Sequence, residues 1–322
     1  NFHSTPIFSR TRYSVSMKQA DDDYKIEMLE NLRFSKDEKR NSAEFAEALL
    51  QITGADLFVQ DGFGVVHRAH TSTSEIAKKL PSVAGLLLEK EVSTIKKAFE
   101  NPERPFVAIM GGAKISDKLP LIEKFIERAD KVIVAGAIAN TFLKYHNFEI
   151  GRSKIELGQD DVIEDVEVVA ARKFGADFRD SFQLPLDAKI AKEFLPNTPD
   201  INVDFAEISP TDYILDLGEV SISRACEAIL RAKTIVWNGT AGYAEFSNFA
   251  KGSERIAAAI SESTKNGATS IVGGGDTSAF VLDWQENHPE ATHFSLISTG
   301  GGAALELMSG EILPGLEVLP EK

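Results

Sequence analysis

Two lysines four residues apart, Lys114 and Lys118, follow a glycine pair in the stretch 106–118, which reads F-V-A-I-M-G-G-A-K-I-S-D-K. On one helix face, lysines at that spacing reach a common phosphate. Gly111 and Gly112 let a ligand approach the backbone, and a helix start after them offers unpaired N–H groups to an anion. Taken alone, the stretch reads equally as a tight βα turn before a solvated lysine face. The design recurs, however. Residues 131–136 (K-V-I-V-A-G), 234–239 (T-I-V-W-N-G), 270–276 (S-I-V-G-G-G-D) and 293–302 (H-F-S-L-I-S-T-G-G-G) are also apolar runs finishing in glycine.

Strands that are apolar throughout, not alternating, suit a parallel sheet covered on both faces. In such α/β sheets ligands bind outside the carboxyl ends of the strands. Five glycine loops gathered there predict a close-fitting backbone cradle for a nucleotide or phosphate. Asp276 follows Gly273–Gly275 and precedes Thr277. A carboxylate at that place suits Mg²⁺ bridging nucleotide phosphates, with Thr277 capping the next helix; Asp276 as a simple helix cap is the alternative. Glu245, beyond W-N-G-T-A-G-Y-A, is placed to accept hydrogen bonds from ribose hydroxyls. His67 and His70 lie three apart, but two imidazoles without a cysteine or third histidine nearby make no zinc site. Neither a Walker A sequence nor G-x-G-x-x-G occurs, and no serine or cysteine nucleophile stands out.

The elements that must position these groups need length, and 322 residues at 43% hydrophobic predict two domains. A net charge of −14 argues against a nucleic-acid partner. No run approaches the length of a membrane span. Cys226 stands alone, so no internal disulfide forms; it reads as a small buried hydrophobe in a reducing, cytoplasmic compartment. Residues 1–20 carry Arg10, Arg12 and Lys18 with no acid, a transit-like composition that would imply a plastid or other organelle, or else a poorly ordered lead-in. A strand is expected from residue 26, ending on Glu30, Asn31 and Arg33. A helix is expected over 42–50 with Phe45, Leu49 and Leu50 inward, and a strand over 55–60. A longer helix over 86–99, with Leu87, Val92, Ile95 and Phe99 apolar, suits a connector between domains. The stretch 158–216 shows a helix over 162–174, then Pro185, Pro196, Pro199 and Pro210 among short strand-like pieces.

E-N-L-R-F (30–34), D-G-F-G-V-V-H-R-A-H (61–70), G-G-A-K-I-S-D-K (111–118), A-N-T-F-L-K (139–144), G-G-G-D-T (273–277) and S-T-G-G-G-A-A-L-E (298–306) occur in this order. Together they strongly resemble the phosphoglycerate kinase family from about residue 26 onward. The resemblance implies an α/β chain of two Rossmann-like parallel-sheet domains joined by a long hinge helix. It divides the chain into a lead-in (1–25), part of a phosphoglycerate-binding domain (26–85), a connecting helix (86–101) and a nucleotide-binding domain (102–322) whose last residues return toward the first. It implies ATP/ADP and Mg²⁺, small-molecule substrates only, no membrane, and a monomer. Arg33, His67 and Arg68 would meet the phosphoglycerate. Lys114 and Lys118, with Arg33, would act on the transferring phosphoryl group. Gly111, Gly112, Ala113, Gly136, Asn238, Gly242, Glu245, Gly274, Gly275 and Thr277 would line the nucleotide site, with Asp276 by the metal. The acceptor is already ionised, so no general base is needed.

The sequence also departs from the family. Its V-D-x-N-x-P and H-L-G-R-P segments have no counterpart, so an incomplete N-terminal domain lacking its central strand is expected. The usual W-N-G-P-x-G-V-F-E is W-N-G-T-A-G-Y-A-E here, with Thr240, Tyr243 and Ala244 changed, and Gly62 stands where alanine is usual. A shortened family member that binds nucleotide without kinase activity is the alternative reading.

Overall fold

The computed structural model describes the backbone of residues 13–19, 22–175 and 178–320, with side chains from Met28 onward. It divides into two units, one of residues 1–60, 66–85 and 314–322, the other of 61–65 with 86–313.

In the first unit, strands β1 (Tyr13–Gln19) and β2 (Asp22–Met28) form an antiparallel hairpin with Tyr13 opposite Met28. The strand expected from residue 26 is thus the end of β2, paired antiparallel. Residues 1–12 and 20 of the transit-like stretch lie outside the described residues, while 13–19 are strand and not irregular lead-in. Helix α1 (Lys36–Lys39) precedes α2 (Ala43–Thr53). Ser42 caps α2, its Oγ accepting from the Phe45 N–H at 3.2 Å, and Gly54 ends it at φ 64°, a conformation glycine takes without strain. The buried stripe is Ala46 and Leu49, flanked by half-buried Phe45 and Leu50. Strands β3 (Phe58–Gln60) and β4 (Ser82–Ala84) make a two-stranded parallel sheet.

After a single 3₁₀ turn at Phe63–Val65, the second unit's first α-helix is α3 (Leu86–Glu100). Its buried side is Leu88, Glu91, Ile95, Ala98 and Phe99; Leu87, one of the apolar residues read from the sequence, is 43% exposed. The pattern misleads because a carboxylate takes a core position. Fully buried Glu91 accepts from Ser298 Oγ (2.6 Å), Thr299 Oγ1 (2.6 Å) and the Thr299 N–H (3.2 Å), which replace the water it gives up.

The predicted apolar runs become strands of one parallel sheet: β5 (Phe106–Met110), β6 (Lys131–Val134), β11 (Thr234–Asn238), β12 (Thr269–Gly273) and β13 (Leu296–Ile297), with β7 (Phe182–Gln183) at the far edge. The order is β13-β12-β11-β5-β6-β7. Every residue of β5 and β11 is buried, as central strands of a sheet covered on both faces require. The chain leaves β5 toward β6 on one side and returns on the other as β11, so the strand order reverses between them. Helices α4 (Leu119–Arg128), α5 (Gly136–Tyr145), α7 (Glu219–Arg231), α8 (Lys251–Lys265), α9 (Gly275–Asn287) and α10 (Gly302–Ser309) connect or follow these strands, and α6 (Asp160–Phe174) precedes β7. Leu121, Ile122, Phe125 and Ile126 give α4 its apolar face at helical spacing.

The proline-rich stretch holds a second sheet that periodicity does not reveal. Strands β8 (Asp187–Ala191), β9 (Ile201–Asp204) and β10 (Tyr213–Leu217) pair antiparallel in the order β10-β8-β9. Ala188, Ile190, Val203 and Phe205 of this region share a core with Leu143 of α5. That packing builds a wall beside the glycine loops.

Candidate functional site

The loops after β5 and β11 meet backbone to backbone at the point where the strand order reverses, the place where open α/β sheets bind ligands. Gly111 N–H donates to the Asn238 carbonyl (2.9 Å), Gly136 N–H to the Ala241 carbonyl (2.9 Å), and Ile138 N–H to the Gly112 carbonyl (3.1 Å). A Cβ on Gly111 would fall 2.0 Å from the Thr240 carbonyl oxygen, and one on Gly239, at φ 92°, would fall 2.2 Å from the Gly111 carbonyl. Only glycine allows this approach. Thr277 does not cap its own helix: α9 starts at Gly275, with Gly274 at φ 93° before it. Its hydroxyl instead accepts from the Gly239 N–H at 2.7 Å and pins the β11 loop to α9. A left-handed glycine already turns the chain there, which leaves the threonine free for the neighbouring loop.

The lysines separate. Lys118 closes a single helical turn over Ser116–Lys118, and its ammonium donates to the Gly111 carbonyl at 2.8 Å. Burial pushes its pKa down to about 8, against the opposing pull of Asp276 and Asp117. Lys114 is exposed in the loop before that turn, so the expected shared helix face does not form. The reason is that the helix starts only at Ser116, whose N–H and hydroxyl are taken by the Glu156 carboxylate. Asn238 is 1% exposed, and among the described residues neither its Oδ1 nor its Nδ2 has a partner. A buried amide left so is costly, on the order of 1–3 kcal/mol per group, unless a ligand pairs it. The Nδ2 stands beside Gly274, where a Cβ would lie 2.9 Å away. Asp276 is exposed in the first turn of α9.

A cavity of roughly 410 Å³ opens from these loops. Gly112, Ala113, Gly136, Gly242, Glu245 and Asp276 are among the residues that line it. Gly111, Lys114, Lys118, Asn238, Gly274, Gly275 and Thr277 are outside its lining. Sequence reasoning missed Asn140 of α5 and the wall from the antiparallel sheet region and the segment after α5: Lys154, Phe194, Tyr213 and Asp216 also line the cavity. Asp216 is 3% exposed and accepts from the Gly252 N–H (2.7 Å) and the Leu217 N–H (2.8 Å). Burial raises its pKa to about 7, those two N–H groups working against the rise. Gly242 and Gly252 crowd its carboxylate, where a Cβ on either would come within 2.4 Å of Oδ1. The D-L-G at 216–218, a strand ending in acid and glycine, was the signal available.

In the first unit, Arg33 and Arg68 are exposed and His67 is half-buried. Arg68 Nε donates to His67 Nε2 at 3.1 Å. Loss of solvation, then the positive charges of Arg68 and Arg33, lower the His67 pKa, so the ring stays neutral and keeps its acceptor. His70 is lowered mainly by burial, with Glu38 opposing. Among the described residues no three His, Cys, Asp or Glu side chains group to hold a metal. Cys226 is only half-buried, at the rim of the main core; its thiol donates to the Arg255 carbonyl at 3.6 Å, and burial pushes its pKa up.

A family model described as phosphoglycerate kinase matches residues 8–311. The chain belongs to the phosphoglycerate kinase family. It is 41% identical to phosphoglycerate kinase of Dictyoglomus turgidum over 309 residues, 95% of this chain and 73% of that one. It is 43% identical to the chloroplastic phosphoglycerate kinase of Volvox carteri over 296 residues, 92% of this chain and 62% of that one. The solved phosphoglycerate kinase of Coxiella burnetii superposes with a TM-score of 0.80 at 36% identity, covering 89% of this chain and 71% of that one. That of Pyrococcus horikoshii OT3 gives 0.69 at 28%, covering 90% and 71%. The chain therefore spans between 62% and 73% of the length of these relatives. Membership of the phosphoglycerate kinase family carries the transferase function and the nucleotide-binding α/β fold read from the sequence, and it does not favour a shortened binder without kinase activity. No helix among the described residues is long and apolar enough to cross a membrane.

Proposed function

We propose that the chain transfers a phosphoryl group reversibly between Mg-ATP and 3-phosphoglycerate, giving ADP and 1,3-bisphosphoglycerate. The observation that carries this reading is the Lys118 ammonium drawn onto the Gly111 carbonyl at the carboxyl edge of the sheet, near Asp276. Lys118 bears on the transferring phosphoryl group, and Lys114 in the same loop adds charge toward the nucleotide phosphates. The unpartnered Asn238 Nδ2 donates to a phosphate oxygen. Glu245 accepts from the ribose hydroxyls. Arg33, Arg68 and the neutral His67 hold the phosphoglycerate, Arg68 being steadied by the imidazole it donates to.

A lone exposed carboxylate in the first turn of α9 suits Mg²⁺ that arrives with its nucleotide, since such an ion takes one or two carboxylates and fills its shell with substrate oxygens and water. When bound, the ion neutralises charge on the phosphates. With an ionised acceptor, what the protein supplies is positioning and preorganised donors: the ammonium of Lys118, the guanidinium groups and the N–H groups of the glycine loops. Turnover of this chain with Mg-ATP and 3-phosphoglycerate, coupled to NADH oxidation, is the test. Steady turnover dependent on both substrates is expected. Nucleotide binding without turnover would replace the reading with that of a binding protein.

A further inference from the structure

The helical turn that carries Lys118 has no cap of its own. It spans Ser116–Lys118 and runs directly into α4 at Leu119, and at neither start does a local side chain accept a backbone hydrogen bond. The first N–H groups of a helix need an outside partner. Here the partner is Glu156, 40 residues on, whose carboxylate accepts from the Ser116 N–H at 3.0 Å and from the Ser116 hydroxyl. That hydroxyl bond, then the N–H groups of Ser116 and Ile115 and the charge of Lys114, lower the Glu156 pKa against a loss of solvation.

Glu156 is itself held by α5. Its N–H donates to Thr141 Oγ1 at 3.3 Å, and that buried hydroxyl donates to the Ala137 carbonyl at 3.0 Å. Just before it in the chain, the Lys154 carbonyl accepts from Asn140 Nδ2 (3.3 Å) and Ser153 Oγ from the Ile214 N–H of β10 (2.7 Å). The segment 153–156 is thus fixed on two elements before it reaches Ser116. Helix α5 also starts at the glycine loops, where the Ile138 N–H donates to the Gly112 carbonyl. The stretch 112–116 is therefore tied to α5 twice, by backbone at Gly112 and through Glu156 at Ser116. Lys118 follows two residues after the second tie. Its ammonium folds back so closely that a Cβ on Gly112 would stand 2.8 Å from it.

We propose that Glu156 is a positioning residue for phosphoryl transfer: by capping the Ser116 turn from α5, it sets where the Lys118 ammonium meets the moving phosphoryl group. This rests on the role of Lys118 given above. A preorganised donor acts only from where it already stands, and a displacement of about 1 Å costs on the order of 10²-fold. Ile115, fully buried, anchors the loop in the core but does not cap the turn that follows. A substrate-binding role for the charge has the wrong sign, since a carboxylate beside Lys114 works against polyphosphate.

The test is steady-state turnover with Mg-ATP and 3-phosphoglycerate in the parent, Glu156→Ala, Glu156→Gln, Lys118→Ala and the double variant Lys118→Ala with Glu156→Ala. The stoichiometry of ADP binding, by calorimetry, counts the folded sites of each. Glu156→Ala is expected to lower kcat per site by about tenfold or more, with KM for Mg-ATP little changed. Glu156→Gln keeps an acceptor for the N–H and loses the charge, so it should recover most of that. Beside Lys118→Ala the same truncation should cost nothing further, because residues acting through one contact are non-additive. Parental kcat in Glu156→Ala, or a loss confined to KM, would overturn the proposal and leave the kinase reading in place. So would equal losses in the alanine and glutamine variants, which would make charge the cause. A full loss repeated on top of Lys118→Ala would also overturn it, showing an effect on the fold at large. A parent without turnover would remove both the reading and the proposal.

Discussion

Lys118→Ala lowers turnover with Mg-ATP and 3-phosphoglycerate by about 10²–10³-fold, the loss typical of removing one preorganised donor from a developing charge. The structure supports the upper part of that range. The ammonium is held by the Gly111 carbonyl and stands near Asp276, so its charge is positioned before substrate binds. Lys114 lies in the loop outside the cavity lining and keeps its own charge in solvent. Loss of the protein's fold is not the expected cause: the group is one whose burial already opposes its charge, as its lowered pKa shows. Steady-state kinetics on the variant, with thermal unfolding as control, reads the effect. A variant turning over at the parental rate removes Lys118 from the chemistry.

Gly239→Ala is expected to lower the stability of the second unit by about 2–5 kcal/mol, adding left-handed backbone strain to overpacking. Its φ is 92°, and the added methyl would meet the Gly111 carbonyl carbon and oxygen, each at 2.2 Å. Neither neighbour is a side-chain tip that swings aside; both belong to the β5 loop. Relief requires the two loops to part, which also breaks the Gly111 N–H bond to the Asn238 carbonyl and the Gly239 N–H bond to Thr277. Urea unfolding measures the loss, and nucleotide affinity should fall with it in whatever fraction stays folded. Gly267→Ala is the comparison, for Gly267 also has positive φ, 91°, but open space where its Cβ would be. If both variants lose the same amount, the close approach of the loops contributes nothing.

Much of the second unit was legible. Runs such as F-V-A-I-M and the I-V-W of T-I-V-W-N are apolar without alternation, which suits a sheet covered on both faces. The glycines that end them mark where backbones converge. Other features left no such trace. Glu91 occupies a core position that periodicity reserves for an apolar residue, because its partners, Ser298 and Thr299, are two hundred residues away. Thr277 looks like a cap in sequence, yet a left-handed Gly274 does the turning and the hydroxyl serves another loop. Lys114 and Lys118 carry helical spacing, but spacing cannot say where a helix begins. The antiparallel wall was hidden for a different reason. Its strands are short, prolines interrupt the connections, and Asp187, Lys189 and Asp216 are buried polar residues within it. Those groups are satisfied by tertiary partners: Asp187 accepts from Ser221 at the start of α7, and Lys189 pairs with Asp200 and Glu219.

The most direct measurement is proton uptake on ADP binding, from calorimetry in buffers of different ionisation enthalpy. It asks whether nucleotide phosphates sit against Lys118. Burial holds the pKa of Lys118 near about 8, so at a pH of about 8.5 the free chain has lost part of that proton. A polyphosphate beside the ammonium favours the charged form and raises the pKa, and linkage then requires binding to draw protons from the buffer. ADP itself is fully ionised there and contributes none. The expected result is uptake of a sizeable fraction of a proton, affinity that falls as pH rises further, and loss of the uptake in Lys118→Met. Binding with no proton exchange, or uptake that survives in Lys118→Met, would place the phosphates elsewhere and contradict the account.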